Sequence, residues 1–198
     1  MKLLFNTTSP YARIARVALW EKGFHDIQTQ VVDPWGDDPE LLAANTAARV
    51  PTLITSDGQI LTESLLIVLW LEAVRPKPSL LGADPAGAVA RAGVAMGVMD
   101  AAVHTLIGRK IAGPSFDEAP VGLRRRRSMV EGLKRLDADA PNPGDDAPGL
   151  DAIAATVALD YVLFRFPRAE WMPPTPGLER LRRRLHARPS IEGTMPHG

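Results

Sequence analysis

Residues 6–24 read NTTSPYARIARVALWEKGF, and the way this stretch starts and stops decides the first structural unit. Leu3–Phe5 just before it is a short apolar run, read as a brief strand. Ile14, Val17, Ala18 and Glu21 then fall on one helical face, and Gly23 is the stop signal. Between strand and helix, Ser9 offers an oxygen to a free helix N–H, and Pro10 has the fixed φ that opens a first turn. A hydroxyl at the positive end of a helix can also do chemistry, so Ser9 is a candidate functional residue as well as a cap.

Working outward, DIQTQVVD at 26–33 alternates Ile27, Thr29 and Val31 as a strand does, and Asp33-Pro34 closes it. PELLAANTAA at 39–48 is a short helix. TLIT at 52–55 and QILT at 59–62 flank Asp57-Gly58, the signal of a hairpin, and a helix follows from Ser64 to near Val74. The order β-α-β-α-β-β-α predicts a compact α/β layer structure of about 75 residues.

Pro76, Pro78 and Pro85 prevent one helix from running through RPKPSLLGADPAG at 75–87. The expected division is an α/β domain over 1–77, a linker over 78–87 and an all-helical domain over 88–198. In that second domain, AVARAGVAMGVMDAAVHTLIGRK (88–110) reads as a helix apolar on most sides. VGLRRRRSMVEGLKRLDAD (121–139) places Leu123, Val130, Leu133 and Leu136 on or near one face. After the loop PNPGDDAPG (141–149), DAIAATVALDYVLFRF (151–166) and GLERLRRRLHARP (177–189) are two more helices.

The chain has 198 residues, 45% of them hydrophobic, enough to bury a real core. Lys plus Arg and Asp plus Glu stand at 23 each, so no net field gathers nucleic acid or an anionic membrane. Arg124–Arg127 point around a helix cylinder and read as a solvated surface. Cysteine is absent, so any sulfur chemistry must use a ligand's sulfur. His25, His104, His186 and His197 lie far apart and show no metal-ligand spacing. Leu3–Phe5 is too short for a signal-peptide core, and SLLIVLWLEAV at 64–74 is shorter than the roughly 20 residues that span a bilayer. The latter is read as a buried helix, and the expectation is a soluble, cytoplasmic protein that binds neither nucleic acid nor membrane.

SPYARIARVALWEKG (9–23), RVPTLI (49–54) and LTESLLIVLWLE (61–72) resemble, in order and separation, three N-terminal signatures of the cytosolic glutathione transferase family; ALDYVLFRFP (158–167) and LHARPS (185–190) resemble its late helices. The resemblance covers essentially the whole chain. It implies a thioredoxin-like N-terminal domain, an all-helical C-terminal domain, glutathione as co-substrate without a metal, and a homodimer. In that family the Pro at position 51 is cis, and the backbone of Val50 pairs with the cysteinyl part of glutathione like an added strand. A third family habit, Ser or Thr three residues before Asp at the start of the third C-terminal-domain helix, is lost here: Gly149 and Ala152 stand at those places, with Asp151 displaced by one. That removes a mutual cap worth about 1 kcal/mol.

The residues suit a thiol tripeptide. Its γ-glutamyl end carries an ammonium and a carboxylate, so Glu63 is expected to take the former, and the Ser64 hydroxyl with the N–H groups of a helix start the latter. The simpler reading makes Ser64 a helix cap and leaves Glu63 in solvent. Thiols have a pKa of about 8.5, and lowering it by about two units takes roughly 2.7 kcal/mol. A charge-assisted hydrogen bond supplies about 1.5–3 kcal/mol, and a helix N-terminus about 0.3–1. One hydroxyl at one helix start is enough.

Ser9 is the first candidate for that hydroxyl and Thr8 the second. The family's C-P pair, which favours thiol-disulfide work, is absent. Arg49 is expected at the glycyl carboxylate or as a plain surface charge; Asp100 resembles an acid that reaches the neighbouring subunit's γ-glutamyl ammonium. Tyr11, His104 and Tyr161 are the expected wall of the second-substrate pocket. The predicted activity is glutathione transfer to a hydrophobic electrophile, a detoxification reaction. The alternatives are a non-catalytic binding or regulatory member, or a glutathione-dependent isomerase, dehalogenase or peroxidase.

Overall fold

The structure, a computed structural model, describes residues 1–143 and 147–197. It divides into two compact units: Met1–Leu80 with Arg188–Gly198, and Leu81–Ala187. The two units divide between Leu80 and Leu81. Two details differ from the expected division. The segment from Arg188 packs in the first unit rather than the helical one, and the first helix of the second unit starts within the linker, at Pro85. Proline stops a helix from running through it but is well placed at the first helical position, where its missing N–H is not needed.

In the first unit, β1 (Lys2–Phe5), α1 (Pro10–Glu21), β2 (Gln28–Val31), α2 (Pro39–Ala44), β3 (Thr52–Ile54), β4 (Ile60–Thr62) and α3 (Ser64–Val74) follow in order. The sheet runs β2-β1-β3-β4, with β1 parallel to β2 and β3 antiparallel to both β1 and β4. This is the thioredoxin-like arrangement the sequence predicts. Leu3, Leu4 and Leu53 are fully buried, with Ile14, Val17 and Ala18 of α1 and Ile67, Val68 and Leu71 of α3. α3 is therefore buried on one face only: Leu66, Leu69 and Val74 are exposed, which narrows the expectation of a buried helix to the Ile67–Leu71 side. Its uniform hydrophobicity hides which side meets α1.

The second unit contains α4 (Pro85–Ala112), a 3-10 turn (Pro114–Glu118), α5 (Pro120–Ala138), α6 (Leu150–Arg165) and α7 (Pro176–Leu185); α8 (Pro189–Glu192) lies in the first unit. α4 packs on α5 and α6. By length and composition α4 is apolar enough to cross a membrane, with 39% of its most apolar window buried. A Cβ at Gly132 would meet Val98 Cγ2 at 2.4 Å, so α5 approaches α4 at a glycine. α6 is the core helix, buried at every position from Leu150 to Val162. It starts at Gly149 with no side-chain cap, as its sequence implies. Of the loop expected at 141–149, residues 144–146 lie outside the described residues.

On α5, Met129, Leu133 and Leu136 are buried but Leu123 is exposed. The buried stripe continues instead through Gly122, where a Cβ would meet the Phe116 carbonyl oxygen at 2.0 Å. The 3-10 turn thus sets which side of the α5 start faces inward. Arg126 is not simply solvated: it donates to the Asp117 carbonyl at 3.1 Å and to Glu118 at 2.7 Å.

Candidate active site

Strand register brings three loops to one end of the sheet. Leu4 of β1 pairs with Thr52 of β3, and Thr52 pairs with Thr62 of β4. The chain leaving β1 through Asn6–Ser9, the chain entering β3 through Val50-Pro51, and Glu63-Ser64 just past β4 therefore share that end. Nothing in the linear order of these motifs requires this; the antiparallel β3 does it.

Asn6 organises the first loop. Its Oδ1 accepts from Thr8 N at 3.1 Å and from Thr8 Oγ1 at 2.9 Å, and its Nδ2 donates to the Val32 carbonyl at 3.2 Å. Ser9, with extended φ and ψ of −77° and 120°, is the N-cap of α1, and its Oγ accepts from Ala12 N at 3.2 Å. The two hydroxyls thus differ. The Thr8 hydroxyl spends its proton on Asn6, whereas among the described residues the Ser9 hydroxyl acts only as acceptor and keeps its proton for another group.

The Val50-Pro51 bond is cis. The loop before it is braced by two side chains: Asn45 Nδ2 donates to the Arg49 carbonyl at 3.0 Å, and Thr52 Oγ1 donates to the same oxygen at 2.9 Å. Val50 is buried. Asn6, Asn45 and Thr52 are the site-shaping residues that motif reading missed. Asn and Thr just beside a turn, able to bond backbone two to four residues away, are the signal that would have found them.

Glu63 has φ 66°, a left-handed value that costs a non-glycine residue of order 1–3 kcal/mol and tends to persist at functional sites. It, not Ser64, occupies the N-cap of α3, and it makes no side-chain cap bond. Ser64 is the first residue inside the helix and is 1% exposed. Its Oγ has no hydrogen-bond partner among the described residues. So Ser64 does not act as the cap, and a buried hydroxyl stands unsatisfied beside the free N–H groups of a helix start. Such a group costs about 1–3 kcal/mol unless a ligand meets it.

Arg49 lies 3.6 Å from Glu63, and both side chains are well exposed. Here Arg49 turns toward the Glu63 side of the site. Tyr11 sits in the first turn of α1.

The remaining candidates belong to the second unit. Asp100 and His104 are one turn apart on α4, joined by a 2.7 Å hydrogen bond between His104 Nδ1 and the Asp100 carbonyl. Tyr161 of α6 is 5% exposed, with Arg165 stacked 5.5 Å over its ring. Burial raises the pKa of its phenol, against a smaller lowering by Arg165. Among the described residues, no three His, Cys, Asp or Glu side chains gather as a metal site.

Residues 8–74 match the profile of the glutathione S-transferase N-terminal domain. The chain is 31% identical over 192 residues to a protein named as a probable maleylacetoacetate isomerase from Caenorhabditis elegans, covering 91% of this chain and 86% of that one. It is 28% identical over 206 residues to the GST-like protein YibF of Escherichia coli, covering 99% and 98%. A crystal structure of a glutathione S-transferase from Methylobacterium radiotolerans, in complex with glutathione sulfonate, superposes with a TM-score of 0.88 at 34% identity, covering 100% of this chain and 95% of that one.

Proposed function

Because the chain belongs to the glutathione S-transferase family, we propose that it binds glutathione at this end of the sheet and activates its thiol for attack on a hydrophobic electrophile. The observation that carries the reading is the Ser64 hydroxyl, buried at the start of α3 and without a hydrogen-bond partner among the described residues. A γ-glutamyl carboxylate supplies the acceptor that this hydroxyl and the α3 N–H groups need. The similar Methylobacterium radiotolerans enzyme was crystallised with glutathione sulfonate, a ligand of the same shape.

Each residue then has a task. Glu63 takes the γ-glutamyl ammonium. The backbone of Val50, presented by cis-Pro51, pairs with the cysteinyl residue. Ser9 accepts Ala12 N as a cap and donates its proton to the sulfur, so capping and thiolate stabilisation use different sites on one oxygen. Thr8 is the weaker candidate because its proton is already given to Asn6. Arg49 must exchange Glu63 for a ligand carboxylate if it is to reach the glycyl end.

The thiol loses its proton to solvent as the sulfur settles against Ser9 and the α1 start. The thiolate then attacks the electrophilic carbon; a C–S bond forms, and the leaving group departs with its bonding electrons. Tyr11 is proposed to flank the second substrate, and Asp100 to serve a partner's γ-glutamyl ammonium. Exposed Leu66, Leu69 and Val74 on α3 supply an apolar face for a second copy in a homodimer. The setting is the cytoplasm, and the role detoxification.

A second reading is favoured by the 31% identity to the probable isomerase. The same thiolate adds to a cis alkene conjugated with a carbonyl, the new single bond rotates, and the thiolate is expelled to leave the trans alkene. No atom is gained or lost.

The test is a titration of the protein with glutathione, followed by thiolate absorbance at neutral pH, then turnover of a panel containing a halonitrobenzene, an alkyl halide, a hydroperoxide and a cis-enone. An enzyme shows the thiolate signal and loses it in Ser9→Ala. Absence of both binding and signal makes the chain a non-catalytic member. The cis-enone arm separates isomerase from transferase.

A further inference from the structure

Residues 188–197 run antiparallel along the whole of α1, in the same compact unit. At the far end of α1, Arg188 makes a bidentate pair with Glu21 at 2.9 and 2.8 Å, and Ser190 donates to the same carboxylate. Midway, Arg16 donates to the Gly193 carbonyl at 3.2 Å. One turn below Ser9, Arg13 donates to the Ile191 carbonyl at 3.1 Å, to Thr194 Oγ1 at 3.3 Å and to Met195 Sδ at 3.1 Å. Beyond the helix start, Thr7 Oγ1 donates to the His197 carbonyl at 2.9 Å. Apart from the Arg13 bond back to Ile191, residue numbers rise in the segment as they fall along α1, so the contacts form one seam that ends in the loop carrying Ser9.

The two ends of the seam have different reasons to exist. Around Glu21 it completes the core: Ser190 and Ile191 are fully buried. The Thr7 end completes nothing of that kind, because its bond lies at the surface and α1 is already capped by Ser9. Arg13 is 3% exposed although it stands on a helix whose other buried residues, Pro10, Ala12, Ile14, Ala15, Val17, Ala18 and Leu19, are all apolar. A guanidinium buried in such a place is costly unless its five N–H groups are met in a fixed geometry, and the segment meets several of them. Burial and the neighbouring Arg13 hold the Arg16 guanidinium below its usual range, consistent with positive charge collected along this side of α1.

We propose that segment 188–197 is a strap that fixes the Ser9 end of α1, with Arg13 and Thr7 acting through it as positioning residues for the Ser9 hydroxyl. The proposal rests on the reading of Ser9 as the donor to the glutathione sulfur. It makes the acidity of a bound thiol depend on the 188–197 segment, far from Ser9 in sequence.

The test compares Thr7→Val, Arg13→Met, Arg13→Lys and a chain ending at Gly193 with the full chain. Three quantities are read: the pH midpoint of bound-glutathione thiolate absorbance, the kcat and glutathione KM on the best electrophile, and the thermal midpoint. Thr7→Val is expected to keep its thermal midpoint, raise the thiolate midpoint by about 0.3–0.5 pH unit and lower kcat a few-fold with little change in KM. Arg13→Met and the shortened chain are expected to shift it by about 0.5–1 unit, with Arg13→Lys in between. Should Arg13→Met fail to fold, Thr7→Val and the shortened chain decide. Variants that lose thermal stability yet titrate and turn over like the full chain overturn the strap and leave Ser9 in place. A full chain with no thiolate signal overturns the Ser9 reading and the strap with it.

Discussion

Arg49 and Glu63 form an ion pair, 3.6 Å apart, between two side chains that are 74% and 59% exposed. Such a pair is worth about 0–1 kcal/mol, so it yields easily to a ligand that offers each partner a better one. Arg49→Ala is accordingly expected to leave the thermal midpoint unchanged and to weaken glutathione binding by less than about fivefold. Glu63→Gln, which loses the carboxylate that the start of α3 is proposed to offer the ligand ammonium, is expected to weaken it by about 10-fold or more. Isothermal calorimetry on the two variants checks the contrast; equal losses would remove the assigned division of labour.

Ser64→Ala deletes a buried hydroxyl that has no partner among the described residues. Removing it spares an unsatisfied group, so the ligand-free protein is expected to be as stable as the parent or up to about 1 kcal/mol more stable. Glutathione affinity falls in the same variant. Denaturant unfolding with and without glutathione measures both effects, and a loss of stability without ligand would show that Ser64 has a structural partner instead.

Lys22 is buried, 1% exposed, and donates to the Arg75 and Pro78 carbonyls at 2.7 and 2.6 Å while pairing with Glu72. Glu72 also accepts from Leu80 N at 2.8 Å and Ser79 Oγ at 2.9 Å. This knot ties the end of α1 to the chain leaving α3. Glu72→Gln leaves the lysine without its counter-charge and is expected to destabilise by about 3 kcal/mol or more. Lys22→Met with Glu72→Gln together costs less than the sum of the two single changes, as a double-mutant cycle by urea unfolding would measure.

Asp117 is held below the usual carboxylate range, first by its hydrogen bonds to Arg109 at 2.8 and 2.5 Å, then by the surrounding positive charge, against the opposing effect of burial. A carboxylate with a depressed folded pKa contributes stability that is present above its unfolded value of about 3.9 and lost as pH falls through the folded one. Acid unfolding of the second unit is therefore expected to flatten below about pH 4 in Asp117→Asn relative to the parent. Arg109 is raised by the same contact and stays charged throughout, so it adds no pH dependence of its own in this window.

Most of the first unit was legible in the sequence because its signals are local. Ser9-Pro10 marks a helix start, Asp57-Gly58 a hairpin, and Gly23 a helix stop, which the structure meets with φ 73° and a bond from Phe24 N to the Leu19 carbonyl at 2.9 Å. Where hydrophobicity was nearly uniform, as in α3, periodicity had no phase to report, and the exposed Leu66–Leu69 side was missed. On α5 the phase was misread because the residue that meets the 3-10 turn is a glycine, invisible to any count of apolar side chains.

Element order, the Ser9-Pro10 helix start and the residue types suited to a γ-glutamyl thiol follow from the chain alone, since each depends on neighbours within a turn or two. Tertiary structure alone decided the rest. Strand register gathered Asn6–Ser9, Val50-Pro51 and Glu63-Ser64 at one sheet end, packing left Ser64 Oγ without a partner among the described residues, and residues 188–197 came back along α1. These are long-range pairings, set by which buried surfaces fit together, and no local propensity encodes them.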